Sequence, residues 1–96
     1  MKRNNTLNIL LRIKPALVQK FGVTHLALFG STARDDTRVN SDVDILVGFD
    51  GAATSERYFG VQFYIEDHLD CQVDLVTQKS LRPELRHFIE KEAIRV

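Results

Sequence analysis

The sequence contains little cysteine and no long apolar run, and these absences exclude several classes of protein. Its one cysteine, Cys71, cannot form an internal disulfide, which fits a reducing compartment. No apolar stretch approaches the roughly 20 residues that a membrane-spanning helix needs. The apolar N-terminal stretch is interrupted by Arg12, Lys14 and Lys20, too early for a signal peptide. We therefore expect a cytoplasmic protein without a membrane segment.

Two common nucleotide-binding motifs are also absent. The sequence has neither the phosphate loop G-x-x-x-x-G-K-[ST] nor the dinucleotide turn G-x-G-x-x-G. It has no internal repeat, low-complexity segment or linker, and 96 residues are the length of one domain. The hydrophobic fraction of 44% and the charged fraction of 27% are typical of globular proteins. We expect a single domain that spans residues 1–96.

The formal net charge of zero conceals an uneven distribution of charge. Residues 1–40 hold seven Lys or Arg and two acids, whereas residues 41–76 hold one Arg and eight acids. Most of these acids are expected on a solvated surface. Asp42, Asp44 and Asp74 differ, because they lie within apolar runs. A buried carboxylate is costly unless its charge is compensated, so these three predict a specialised site.

Helical and strand patterns alternate along the chain and predict an α/β (α+β) fold, with helices packed on a small mixed sheet. Apolar spacing predicts a first helix over residues 6–21, which Pro15 should divide into two short helices or bend near Lys14. The three predicted strands are residues 24–29, 42–49 and 71–77. Two further helices are predicted, over residues 56–69 and from Pro83 towards the C-terminus.

Asp42 and Asp44 are predicted to lie on one face of a strand, because side chains two residues apart point the same way. Two carboxylates that close repel each other unless they share a proton or bind a cation. Magnesium is the natural cation, since it takes oxygen ligands together with substrate phosphates. Two such ions about 3.5–4 Å apart serve displacement at phosphorus. If the strand that holds Asp74 lies beside this one, the three acids can meet.

The turn Gly30-Ser31 fits the same chemistry. A glycine at a strand end lets phosphate oxygens approach the backbone, and a serine offers its hydroxyl and backbone N–H. Arg34 could place its guanidinium near a triphosphate. Taken singly, each feature also has a structural explanation: Gly-Ser turns are common, Asp74 could pair with a lysine, and Arg34 could be a surface charge. The combination favours a nucleotide site.

The spacing of these residues resembles the signature of the nucleotidyltransferase superfamily related to DNA polymerase β. That signature is Gly-Ser, ten residues, then Asp-x-Asp, and here it runs from Gly30 to Asp44. The resemblance to minimal nucleotidyltransferases extends over essentially the whole chain and implies a polymerase β-like fold. It implies that Gly30 and Ser31 bind phosphate and that Asp42 and Asp44 are ligands of both magnesium ions. Asp74 would hold the catalytic metal and help to activate the attacking hydroxyl.

The minimal family further resembles the antitoxins of toxin–antitoxin pairs whose partner is a helical HEPN-domain ribonuclease. The resemblance implies transfer of AMP from ATP to a tyrosine hydroxyl of that toxin, in a hetero-oligomer, with nucleic acid not expected as a direct ligand. Because no second helical domain is expected in this sequence, the acceptor would be held largely by the partner or bound weakly. Two alternatives stay open: a non-catalytic antitoxin that masks its partner by binding, and a nucleotidyltransferase whose acceptor is a small molecule such as an aminoglycoside.

Overall fold

The computed structural model describes residues 2–35 and 42–96, and its centre is a four-stranded mixed sheet. The strands are β1 (Val23–Phe29), β2 (Val43–Phe49), β3 (Val73–Thr77) and β4 (Ile94–Arg95). Their order across the sheet is β3-β2-β1-β4. Strand β1 is antiparallel to both β2 and β4, while β2 and β3 run parallel. The predicted fold class, helices on a small mixed sheet, is confirmed.

In the described part of the chain, four α-helices and one 3-10 turn precede or connect these strands. The helices are α1 (Arg3–Phe21), α2 (Gly30–Ala33), α3 (Ser55–Leu69) and α4 (Pro83–Glu92), and the 3-10 turn covers Gln78–Ser80. Helix α3 begins where the Thr54 side chain accepts a hydrogen bond from the Arg57 backbone N–H, as an N-cap residue does. Among the described residues, no helix is both long enough and apolar enough to cross a membrane.

Helix α1 runs through Pro15 without interruption, so of the two expected outcomes, two short helices or one bent helix, the division into two is wrong. Proline removes one backbone donor from the helix. Pro15 is exposed, so the carbonyl that loses its partner can be solvated. Leu10, Ile13 and Leu17, before and after it, are buried in the core. Packing of this apolar stripe therefore holds one helix across the proline.

Helices α1 and α3 cover one face of the sheet and form the core with it. Alternate residues of β2, namely Val43, Ile45 and Val47, point into this core and are buried. The other core side chains come from α1, α3 and the neighbouring strands, and include Leu10, Leu17, Leu26, Leu28, Val61, Ile65, Leu69 and Leu75. The period-two alternation of a strand therefore places Asp44, between Val43 and Ile45, on the opposite face.

The C-terminal segment differs from the helix predicted there. Helix α4 ends at Glu92, and Ile94–Arg95 instead pair with β1 as strand β4. The free edge of β1 offers backbone hydrogen bonds, such as the one from the Val96 N–H to the Leu26 carbonyl. Every residue of α4 is at least partly exposed, and Leu85 and Phe88 are 51% and 69% exposed. The apolar side chains of this helix therefore stay largely exposed.

Candidate active site

Asp44 and Asp74 lie side by side on the face of the sheet that α1 and α3 leave open. They are direct partners in the parallel register of β2 and β3. Their carboxyl groups are close enough to share a hydrogen bond. The expectation that adjacent strands bring Asp74 to the Asp-x-Asp motif is therefore met for Asp44.

The carboxyl of Asp44 is difficult to ionise in this position. Burial raises its pKa from an ordinary value of 3.8 to about 6, and the charge and hydrogen bond of Asp74 and the charge of Asp42 add to the effect. The Arg34 guanidinium acts in the opposite direction, as the weakest of these influences. Like charges in one place favour either a shared proton or a bound cation. The pair therefore has the electrostatics of a cation site.

Asp42 is the third predicted carboxylate, and it precedes β2 by one residue. Its charge reaches Asp44, as the raised pKa of Asp44 shows. Across residues 2–35 and 42–96, however, no group of three or more His, Cys, Asp or Glu side chains is arranged to hold a metal ion. The structure thus brings Asp44 and Asp74 together and leaves Asp42 nearby, outside a formed three-ligand cluster.

The three acids are more accessible to solvent than we expect from the apolar runs that contain them. Asp42 and Asp74 are exposed and Asp44 is half-buried, so the expectation of three buried carboxylates is wrong. The apolar neighbours of Asp44 and Asp74 face the core, and the acids face the open side of the sheet. Accessible carboxylate oxygens of this kind are the donors that Mg²⁺ takes in proteins, so the residues fit such an ion.

The Gly30-Ser31 turn lies against the same carboxylates. Phe29, the last residue of β1, pairs with Asp44 on β2, and Gly30 follows with a positive φ of 74°. A Cβ atom at position 30 would overlap Oδ2 of Asp44. In the next turn Ser31 is half-buried, whereas Thr32 is fully buried. Of these two hydroxyls, that of Ser31 is therefore the more accessible to a ligand.

Arg34 follows α2 and forms an ion pair that the sequence did not suggest. Its Nη1 donates to Oε1 of Glu92, the last residue of α4, 58 positions further along the chain. No local motif links two residues so far apart, so sequence reasoning did not single out Glu92. The charge of the Arg34 guanidinium opposes the rise in the pKa of Asp44.

A cavity of about 230 Å³ also opens beside the sheet. It is lined by His25, Leu46, Glu90, Ala93 and Arg95. Burial and the charge of Arg95 lower the pKa of His25, while Glu90 acts in the opposite direction. Leu46 follows Asp44 by two residues on the same strand, or about 7 Å. The cavity is therefore a neighbour of the acidic pair, with a mixed charged and apolar lining.

Comparison with known proteins agrees with this geometry. Residues 10–96 match the family model described as a nucleotidyltransferase domain. The chain belongs to this family. It is 34% identical over 89 residues to the protein adenylyltransferase MntA of Thermococcus cleftensis, an alignment that covers 93% of this chain and 90% of MntA. The resemblance to minimal nucleotidyltransferases drawn from Gly30, Ser31, Asp42 and Asp44 is confirmed.

Two solved structures extend the comparison. One, described as a minimal nucleotidyltransferase, has a TM-score of 0.85 and 31% identity, and the alignment covers 100% of this chain and 97% of that one. The other is a chain in the complex of tri-AMPylated Shewanella oneidensis HEPN toxin with MNT antitoxin, with a TM-score of 0.69 and 18% identity. That alignment covers 97% of this chain and 70% of the other, and it shows a shared fold.

Proposed function

We propose that this nucleotidyltransferase transfers AMP from ATP to a tyrosine hydroxyl of a partner HEPN toxin and so acts as a cytoplasmic antitoxin. The observation that carries the proposal is the pair of carboxyls, Asp44 and Asp74, beside the Gly30-Ser31 turn. A nucleotidyltransferase has to bind both metal ions and the phosphates of its nucleotide. The two carboxyls are suited to the metal ions and the turn is suited to the phosphates, and both lie on one face of the sheet. We also propose that residues 1–96 act as one domain.

Two Mg²⁺ ions would be held by Asp42, Asp44 and Asp74. The charges of Asp42 and Asp74 both raise the pKa of Asp44. When bound, Mg²⁺ neutralises the charge of the triphosphate and of the phosphoryl group being transferred. Gly30 lets the Asp44 carboxylate approach the backbone of the turn closely, and the accessible hydroxyl of Ser31 can donate to a phosphate oxygen. Arg34 would add a second donor to the phosphates.

The reaction forms a bond between the acceptor oxygen and the α-phosphorus of ATP. The bond from that phosphorus to the oxygen bridging to the β-phosphate breaks, and pyrophosphate leaves with the electron pair. The hydroxyl proton has to pass to a base. Asp74 is the proposed base, because its carboxyl is exposed to the solvent side from which an acceptor would approach.

Similarity to named relatives supports the acceptor and the partner. The Thermococcus cleftensis relative is called a protein adenylyltransferase, which specifies a protein as acceptor. The fold is shared with a chain from a complex in which a HEPN toxin carries three AMP groups. By analogy, the proposed acceptor of this chain is a toxin and the proposed assembly is a hetero-oligomer; the choice of tyrosine follows from the family resemblance.

Intact-mass spectrometry of the partner tests the proposal. The chain is incubated with its co-expressed helical toxin, ATP and Mg²⁺, and the two proteins are then separated under denaturing conditions. We expect the toxin mass to rise by one or more AMP groups, and to stay unchanged when ATP is omitted. A toxin that is neutralised without any gain of mass would replace AMP transfer with masking by contact.

A further inference from the structure

The register of β4 brings the end of α4 to the Gly30 turn. Ile94 lies opposite Leu28 in the antiparallel pair of β4 and β1. In an antiparallel pair, the chain before one partner runs beside the chain after the other. Glu92 precedes Ile94 by two residues, Gly30 follows Leu28 by two, and helices α2 and α4 are in contact. The end of α4 therefore lies beside the segment that begins at Gly30.

The ion pair of Glu92 with Arg34 uses only part of the guanidinium. Nη1 of Arg34 donates to Glu92, whereas an arginine carries five N–H donors in a rigid planar fork. The remaining donors can contact a second anion without loss of the first contact. Arg34 directly follows α2, whose first residue, Gly30, lies against the Asp44 carboxylate, so the same short segment borders the site and carries the guanidinium.

We propose that Glu92 is a positioning residue, which holds Arg34 where the N–H groups that Glu92 does not bind can donate to the phosphates of ATP. This inference rests on the proposed function, since it assumes that the site binds a nucleoside triphosphate. An unrestrained arginine loses side-chain freedom when it contacts a ligand, and a partner that already fixes the side chain reduces that loss. Helix α4, which contributes no buried side chain, then acts as the support of an active-site arginine.

The solvent exposure of the Arg34–Glu92 ion pair determines how much ATP affinity should fall when Glu92 is removed. The side chains of Arg34 and Glu92 are 54% and 35% exposed, so water and salt screen their attraction. Loss of Glu92 should weaken ATP binding by about two- to fivefold, as expected for a solvent-exposed ion pair. Loss of Arg34 should weaken it further, because Arg34 is the group that contacts the phosphates.

A double-mutant cycle on ATP affinity separates positioning from a structural role. Isothermal titration with ATP and Mg²⁺, without an acceptor, is carried out on the wild type, Glu92→Ala, Arg34→Ala and the double variant. We expect the double variant to bind ATP as weakly as Arg34→Ala alone, because Glu92 acts only through Arg34. If the loss of binding free energy in the double variant equals the sum of the losses in the two single variants, the inference is overturned.

Two further variants of α4 control for folding and for charge. Glu92→Gln keeps an oxygen that can accept the Nη1 hydrogen bond, so we expect its ATP affinity to lie between those of the wild type and Glu92→Ala. Glu84→Gln removes the same charge from the first turn of α4 and should leave affinity unchanged. Thermal unfolding shows whether each variant is folded.

The outcomes distinguish this inference from the proposed function. If Arg34→Ala weakens ATP binding and Glu92→Ala binds ATP as well as or better than the wild type, Glu92 does not position Arg34 and the inference fails alone. If the folded wild type does not bind ATP with Mg²⁺, the proposed function fails and the inference fails with it.

Discussion

Gly30 and Asp44 occupy adjoining space, because a Cβ atom at position 30 would overlap the carboxylate oxygen Oδ2 of Asp44. The glycine also has a φ of 74°, a conformation that residues with a side chain rarely adopt. Two independent constraints, one of backbone angle and one of space, therefore require glycine at the point where the phosphate turn meets the acidic pair.

Gly30→Ala should disturb both stability and nucleotide binding. The left-handed backbone alone costs about 1–2 kcal/mol with a side chain, and displacement of Asp44 adds to it. Gly51→Ala is the matched control, since the nearest heavy atom to a Cβ there is Nη1 of Arg57 at 3.7 Å. Thermal unfolding and ATP titration should show losses for Gly30→Ala and little change for Gly51→Ala. Equal behaviour of the two variants would contradict this explanation.

Asp44→Asn should stabilise the metal-free protein above pH 6. Burial, followed by the charge and hydrogen bond of Asp74 and the charge of Asp42, raises the pKa of Asp44 from 3.8 to about 6. The folded state therefore binds this proton more tightly than the unfolded chain does, and stability is lost as the pH rises through about 4 to 6. An asparagine carries no charge and avoids that loss.

At pH 7.5, Asp44→Asn should raise the free energy of unfolding by on the order of 1 kcal/mol, after allowance for solvent screening of a half-buried group. This corresponds to an increase of about 4–8 °C in Tm. The gain should vanish at pH values below about 4, where Asp44 is protonated in both states. Asp67→Asn, on the exposed side of α3, is the control. Thermal unfolding in chelator at several pH values measures both. A destabilised Asp44→Asn at pH 7.5 would mean that the carboxylate supports the fold.

ATP affinity should depend on magnesium. Without a cation, the triphosphate meets the charges of Asp42, Asp44 and Asp74 on one open face, and repulsion opposes binding. With Mg²⁺, both sets of charge are neutralised and affinity rises. Calorimetric titration with and without a chelator measures the difference. Equal affinities in the two conditions would be inconsistent with a metal site at these carboxylates.

Asp44→Asn should slow AMP transfer while leaving the partner bound. The substitution preserves the shape of the side chain and removes a charge proposed to contact both metal ions. Stabilisation of the transferring phosphoryl group by metal ions is worth several kcal/mol, so the rate should fall by about a hundredfold to ten-thousandfold. The toxin mass is followed with time, beside a pull-down of the toxin, with Asp67→Asn as control. A variant that transfers AMP at the wild-type rate would remove Asp44 from the chemistry.

Local pattern predicted the strands β1, β2 and β3 and the helix α3, because each depends on spacing within a few residues. Asp44 follows Val43 and precedes Ile45, and that alternation is enough to place it opposite the core. Pattern did not predict the accessibility of the three acids. An apolar run indicates which residues pack in the core. Whether a helix covers the opposite face of the sheet, on which Asp44 and Asp74 lie, depends on elements elsewhere in the chain.

The sequence by itself determined the family and the fold class, because the spacing from Gly30 to Asp44 and the alternation of helix and strand patterns are local features. The tertiary structure decided the rest. It paired Asp44 with Asp74 through the register of two parallel strands and made β4 from residues predicted to be helical. It also joined Arg34 to Glu92 across 58 positions. These contacts depend on how distant segments pack together, and no local spacing records that.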